Sequence, residues 1–281
     1  METLKNNNLE NIKQISQIQE KGVGIMNEDS ILIKDNIFGV FDGASSLNKY
    51  INDEGKTGGY LASSIVKEIF EKNDKPLIEL AKEANDKLEK EMLKHNIDVN
   101  DKVNRWNTTA SVVKINKETF EYLQICDSAI LVINKNGTYK VINGFEDHDE
   151  ETIIKWQKLA EEKIQNIRDV LLPTIIDNRR KANIDYGVLN GEQDALNLIH
   201  TGSDSLKDIA SILILSDGLL IPKKDPTSKE NWELLVDLYQ KGGLENIKNY
   251  IRNIENNDPN CWDYPRLKKS DDISAVALDF K

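Results

Sequence analysis

Apolar and polar positions alternate along "IKQISQIQ" from Ile12, which predicts a strand, and two short apolar runs follow, "SILIKDN" and "NIFGVF", joined by the turn-forming Asp35-Asn36. The chain therefore begins as antiparallel strands. In "TGGYLASSIVKEIFEKN" and "PLIELAKEANDKLEKEMLKHN" the apolar spacing lengthens to three and four residues, with Thr57 placed to cap the first segment and Pro76 to open the second. These read as two amphipathic helices. Four β-rich runs come next, "NTTASVVKIN", "TFEYLQIC", "SAILVIN" and "TYKVING", separated by turn signals and read as a meander. From about 149 to 180 the pattern is helical and polar. A short helix "EQDALNLI", the apolar strand "IASILILSDG", helices near 231–240 and 244–254 and a final strand "ISAVALDF" complete the order.

Hairpin-linked strands with helices inserted in pairs do not match a βαβ alternation. The order predicts an α+β layered fold with largely antiparallel sheets. No Gly/Pro/Ser-rich linker and no fixed-period repeat divides the 281 residues, so one domain over residues 1–281 is expected, with a helical insert at about 149–182.

Composition narrows the function more than the fold. The chain carries 48 acidic and 37 basic residues, a net charge of −11, and no Lys/Arg cluster interleaved with aromatics, which argues against nucleic-acid binding. No apolar leader opens it and no window approaches the roughly 18 apolar residues of a membrane span, so a cytoplasmic protein without a membrane partner is expected. Cys126 and Cys261 have no CxxC partner and read as free thiols, Cys126 buried in a strand.

The acids gather at strand ends: Glu28-Asp29 in "NEDS", Asp42 in "FDGA", Asp127 in "CDSA", Asp217 in "SDGL" and Asp271-Asp272 in "KSDDIS". Asp-Gly and Asp-Ser are turn residues first, and one such junction carries no chemistry. Several together are costly, because two like charges about 4 Å apart repel by roughly 4 kcal/mol at an effective dielectric near 20. The chain offers no matching set of strand-end Lys or Arg. Oxygen-only donors suit Mg²⁺ or Mn²⁺ better than zinc or copper.

Taken in order, "NEDS", "FGVFDG", "TTASVV", "CDSA", "LILSDGL" and "DDISAVAL" resemble the motif set of the metal-dependent protein phosphatases of type 2C, from about Gly22 to Phe280 and least well over 149–180. The resemblance implies a four-layer α-β-β-α sandwich, two mainly antiparallel sheets flanked by helical pairs, with a metal centre at one edge. It implies two Mn²⁺ or Mg²⁺ ions and room for a third. Asp42 would bridge the two ions and Gly43 would offer its carbonyl; Glu28, Asp217 and Asp271 would complete the coordination. Asp29 would stand behind them on metal-held water, and Asp127 with Asp217 would hold the third ion. The implied activity is hydrolysis of phosphoserine or phosphothreonine in a protein substrate by a metal-bridging hydroxide, with Asp42 and Asp217 as the catalytic acids. No side-chain nucleophile is then needed, in keeping with the absence of G-x-S-x-G or a Cys with a neighbouring His in sequence.

The chain departs from that pattern in two places. Ala44 stands where many members carry a His as general acid, a loss typically worth about 10² to 10⁴ in rate. Gly24 stands where the family often has a phosphate-binding Arg. Ser45 and Ser46 offer hydroxyls to a substrate phosphate, but Ser45 reads first as a cap for the next segment. His148, in "FEDHDEET", reads as a solvated loop residue, with proton donation as the alternative; His95 and His200 read as surface residues. Two other functions are compatible with the sequence: a phosphatase for a small metabolite, and a phosphatase-like binding or regulatory module without turnover.

Overall fold

Strands β1 (Ile12–Glu20), β2 (Ser30–Lys34) and β3 (Ile37–Phe41) form where the alternation predicts them, and Asp35 turns the chain between β2 and β3 with a φ of 50°. The computed structural model describes residues 9–44, 47, 50–142 and 148–281. After a two-residue strand β4 (Gly43–Ala44) come helices α1 (Gly58–Phe70) and α2 (Leu77–Lys94). Thr57 caps α1 by accepting a hydrogen bond on its hydroxyl from the Tyr60 N–H at 3.3 Å, and Pro76 stands at the start of α2. Strands β5 (Asn107–Thr108), β6 (Ala110–Ile115), β7 (Thr119–Ile125), β8 (Ala129–Asn134) and β9 (Tyr139–Val141) follow. Helices α3 (Glu150–Glu161), α4 (Ile167–Val170) and α5 (Leu172–Arg180) occupy the stretch read as a helical insert. They pack a small core of their own, Trp156, Ile167, Leu171 and Ile175, against Cys261. The chain ends with β10 (His200–Ser205), β11 (Ile209–Leu215), α6 (Trp232–Asn257) and β12 (Ile273–Phe280). Gly243, at a φ of 68°, breaks α6 into the two helices that the sequence separates.

Alternate side chains of the central strands enter two different cores. In β3, Ile37 and Phe41 pack under α1 and α2, whereas Phe38 and Val40 point between the sheets. In β11 and β12, Leu213, Leu215, Ala275 and Ala277 meet α6, whereas Ile212, Ile214, Val276 and Leu278 fill the space between the sheets. A strand covered on both faces needs no polar side, which is why "NIFGVF" and "SILIL" read as unbroken apolar runs. The result is four layers. One antiparallel sheet has the order β1-β12-β11-β8-β9 and carries α6; the other has the order β10-β7-β6-β3-β2 and carries α1 and α2. This is the α-β-β-α sandwich expected.

Three expectations need correction. The meander is divided: β6 and β7 belong to one sheet and β8 and β9 to the other, with the chain crossing at Cys126 to Ser128. Cys126 is buried but lies just past β7, at a φ of 71° that permits the crossing. "EQDALNLI" forms a 3₁₀ turn over Gln193–Leu198 rather than an α-helix, and His200 after it begins edge strand β10, paired with Gln124 of β7. Among the described residues no helix is long and apolar enough to cross a membrane.

Candidate metal centre

Strand register brings the acids to one edge of the sandwich. Ser30 pairs with Phe41, so Asp29 and Asp42 leave the β2-β3 hairpin side by side. In the other sheet the Ser216 N–H donates to the Ser274 carbonyl at 2.9 Å and the Ser274 N–H donates to the Ser216 hydroxyl at 2.9 Å. Asp217 therefore leaves β11 beside Asp271 and Asp272, which lead into β12. Leu215 also pairs with Ala129, which puts Asp127 at the same end. Glu28, Asp42, Gly43, Asp127, Asp217 and Asp271 all line one cleft of about 810 Å³. Asp29 lies beneath it, 3% exposed.

The backbone around these acids is pinned. Asp42 exchanges hydrogen bonds with Thr109, its N–H donating to the threonine hydroxyl at 3.1 Å and its carbonyl accepting from the Thr109 N–H at 2.9 Å. Ser63, fully buried on α1, donates to the Glu28 carbonyl. The "DD" pair divides its labour: Asp272 accepts from the Gly22 and Glu28 N–H groups at 2.7 and 2.8 Å, clipping that loop in place, while Asp271 faces the cleft and pairs with Lys268. A Cβ on Gly43 would come within 2.3 Å of the Gly59 carbonyl oxygen, and one on Gly218 within 1.9 Å of the Asp272 carbonyl oxygen. Both Asp-Gly glycines are thus demanded by close backbone approach.

Burial and mutual repulsion push the carboxyls up together. Asp42 lies well above the usual carboxylate range, first because it is desolvated and then because Asp29 and Asp217 face it. Asp217 is raised well above that range by burial, then by Asp271 and Asp127. Asp29 reaches about 7 through burial and Asp271, with Ser216 and Ser274 offsetting part of the shift. Burial also raises Asp127, against the opposing effect of His148. Lys268 stands at the exposed rim of the cleft, where partial loss of water is outweighed by Asp271, Asp42 and Asp217, which hold it protonated. One lysine cannot satisfy the group. Asp217 Oδ1 and both oxygens of Asp29 are buried without a hydrogen-bond partner in good geometry. Orphaned carboxylate oxygens in an oxygen-only cluster are what a hard divalent cation would satisfy, so the residues present fit one.

The structure brings Glu28, Asp29, Asp42, Gly43, Asp127, Asp217 and Asp271 together; Ser45 and Ser46 lie outside the described residues. Ala44 lines the cleft with no side chain able to move a proton, and pairs across β4-β5 with Asn107. Sequence reasoning missed Asn107, 2% exposed, whose carboxamide lines the cleft with neither polar atom hydrogen-bonded. A polar amide between Trp106 and a threonine-rich strand was its only signal. Lys268 was also missed; it stands three residues before Asp271 among other charged residues. His148 is not a solvated loop residue. It stacks on Tyr186 at 4.2 Å between ring centroids and faces Asp127 at 3.3 Å.

A family model described as protein phosphatase 2C matches residues 20–246. Among solved structures, the serine/threonine phosphatase PstP/Ppp of Mycobacterium tuberculosis has a TM-score of 0.60 at 17% identity, over 95% of this chain and 98% of that one. The catalytic domain of the serine threonine protein phosphatase PstP in complex with 2 manganese ions gives 0.57 at 16% identity, over 95% and 97%. The serine/threonine phosphatase Stp1 of Staphylococcus aureus gives 0.57 at 14% identity, over 96% and 95%. At these identities the likeness is one of fold. Comparison with curated proteins gave no match. The family match spans most of the chain and agrees with both the layer order and the acidic edge: the protein belongs to the protein phosphatase 2C family, the metal-dependent serine/threonine phosphatases.

Proposed function

We propose that the chain hydrolyses phosphoserine or phosphothreonine in protein substrates, with Mn²⁺ or Mg²⁺ held by Glu28, Asp42, the Gly43 carbonyl, Asp217 and Asp271. The observation that carries this reading is the convergence of four strand ends from two sheets on a carboxylate cluster in which both oxygens of Asp29 and Asp217 Oδ1 are buried without partners. When bound, divalent ions supply an activated water and offset the charge on the phosphoryl oxygens. Asp42, which Asp29 and Asp217 both face, would be one of the residues holding the ions. Asp29 lies behind it, where its unpartnered oxygens would accept hydrogen bonds from water in the site. Asp127 and Asp217, which line the same cleft and repel each other there, would hold a further, weaker ion.

The rest of the cleft orients substrate. Lys268, held charged among the acids, and the unpartnered carboxamide of Asn107 offer donors to phosphoryl oxygens, in place of the arginine absent at Gly24. Ala44 leaves the alkoxide leaving group without a donor at that position, so aryl phosphates, which leave without a proton, are cleaved with less loss than alkyl phosphates.

With a phosphothreonine peptide and p-nitrophenyl phosphate as substrates, turnover is expected with Mn²⁺, absent with EDTA and restored by excess Mn²⁺. Turnover that survives EDTA overturns the reading, and so does the absence of turnover on any phosphoester with Mn²⁺ present, which favours the binding module. Cleavage confined to small phosphometabolites moves the assignment to that substrate class.

A further inference from the structure

Beside the acidic centre, Cys126, Asp127 and His148 form a cluster of another chemical kind. Their donor atoms all lie within 4.8 Å of one another, and all three side chains line the cleft. Cys126 Sγ stands 3.6 Å from His148 Nδ1, and Asp127 Oδ2 stands 3.3 Å from that same nitrogen. The Cys126 thiol and a protonated Nδ1 can both donate to Asp127, which leaves the 3.6 Å contact between sulfur and Nδ1 with no proton of its own. An unprotonated Nδ1 accepts from the thiol instead, and one ring nitrogen does not do both.

A single ion between them satisfies all three. With Zn–S near 2.3 Å and Zn–N and Zn–O near 2.05 Å, tetrahedral geometry requires an S···N edge of about 3.6 Å and an N···O edge of about 3.3 Å. The observed edges have those lengths. The imidazole is also oriented for the purpose. Tyr186 stacks on it, with an interplanar angle of 17°. Asp149 Oδ2 lies 4.0 Å from Nε2, on the side away from the cluster, where a carboxylate supports a metal-bound histidine. Asn178 fixes both neighbours, its amide donating to the His148 carbonyl at 3.1 Å and to Asp149 Oδ1 at 2.8 Å.

We propose that Cys126, Asp127 and His148 bind a zinc-class transition-metal ion, with a fourth position open to the cleft. Thiolate and imidazole select Zn²⁺ or Co²⁺ over Mg²⁺ and Mn²⁺, opposite to the preference of the oxygen-only centre next to it. Asp127 belongs to both sites, so an ion here withdraws it from Asp217. This effect on turnover rests on the phosphatase reading; binding itself does not.

The test uses full-length protein carrying Asp42→Asn, which disables the oxygen-only centre, and adds Co²⁺ as the probe. The expected result is a thiolate-to-cobalt charge-transfer band with the visible absorption of a tetrahedral ion, bleached by Zn²⁺ and untouched by excess Mg²⁺. Both Cys126→Ser and His148→Gln, each added to Asp42→Asn, are expected to lose the tetrahedral spectrum, and Cys126→Ser the charge-transfer band. Melting curves of the metal-free proteins identify any variant that fails to fold, leaving the other to decide. Absence of a thiolate band in the parent, or its persistence without Cys126, overturns the assignment. An unchanged spectrum in folded His148→Gln does so equally. None of these outcomes depends on catalysis.

Discussion

Asp42→Asn is expected to abolish Mn²⁺-dependent turnover and yet to melt higher than the wild type when both are stripped of metal. The loss of activity follows from its place in the cleft, facing Asp29 and Asp217; removing one well-aimed electrostatic group costs at least about 10² in rate. The gain in stability follows from the same place. At neutral pH the unfolded chain leaves Asp42 ionised, whereas the metal-free fold holds its carboxyl well above the usual range because it is buried and faces Asp29 and Asp217. Each unit of such a shift costs about 1.4 kcal/mol of stability at that pH, and an amide avoids it. For a chain of this size a kcal/mol corresponds to roughly 2–4 °C, so a rise of several degrees is expected. Mn²⁺ should then reverse the order, raising the wild type by mass action and leaving the variant nearly unmoved. The crossing of the two melting temperatures is the signature. If Asp42→Asn melts lower without metal, the carboxylate has a structural role that repulsion does not describe.

The second large effect is on pH. Without metal, stability is expected to fall as pH rises from about 5 to 7.5. The sign follows from proton counting: between the ordinary aspartate value and the raised folded value, the unfolded chain has lost a proton that the fold keeps, so raising pH favours unfolding. Asp29 alone, moved from 3.8 to about 7 by burial and then Asp271, accounts for roughly 2.5 kcal/mol across that window. Asp42, Asp217 and Asp127 act in the same direction. Paired acids elsewhere act oppositely but at lower pH. Asp258, where burial is outweighed by Arg266 together with the backbone N–H groups of Tyr264 and Trp262, and Glu192, where it is outweighed by Lys102, Asn190 and Asn183 together, lie below the usual range, so their contribution is complete by about pH 5. Urea melts of metal-free protein at pH 5.5 and 7.5 check this. Saturating Mg²⁺ or Mn²⁺ should remove most of the difference; equal midpoints without metal would mean that the acids do not repel as placed.

Much of this was legible in the sequence for a physical reason. Strands covered on both faces, such as Ile37–Phe41 and Ile209–Leu215, read as continuous apolar runs, and a carboxylate at the end of each is visible as a break in that run. What failed to show was whatever depended on pairing between distant segments. Strand His200–Ser205 is polar along its length and exists because Thr119–Ile125 offers it a ladder, so no side-chain periodicity announces it. "TFEYLQIC" and "SAILVIN" were both recognisable as strands, but the turn at Cys126 that sends them to different sheets is a backbone property of one residue. His148 looked solvated because its neighbours in sequence are acidic; Tyr186, 38 positions later, covers it. Asn107 and Lys268 matter through what surrounds them in space, and neither has a local pattern that says so.

Titration of Mn²⁺ into metal-free protein, with free Mn²⁺ followed by electron paramagnetic resonance and phosphopeptide hydrolysis assayed on the same samples, bears most directly on the acidic edge. The expected result is uptake that saturates in step with the appearance of turnover, and that is lost or sharply weakened in Asp42→Asn. Turnover without uptake, or uptake unchanged when Asp42 is neutralised, would contradict metal-dependent chemistry at this centre.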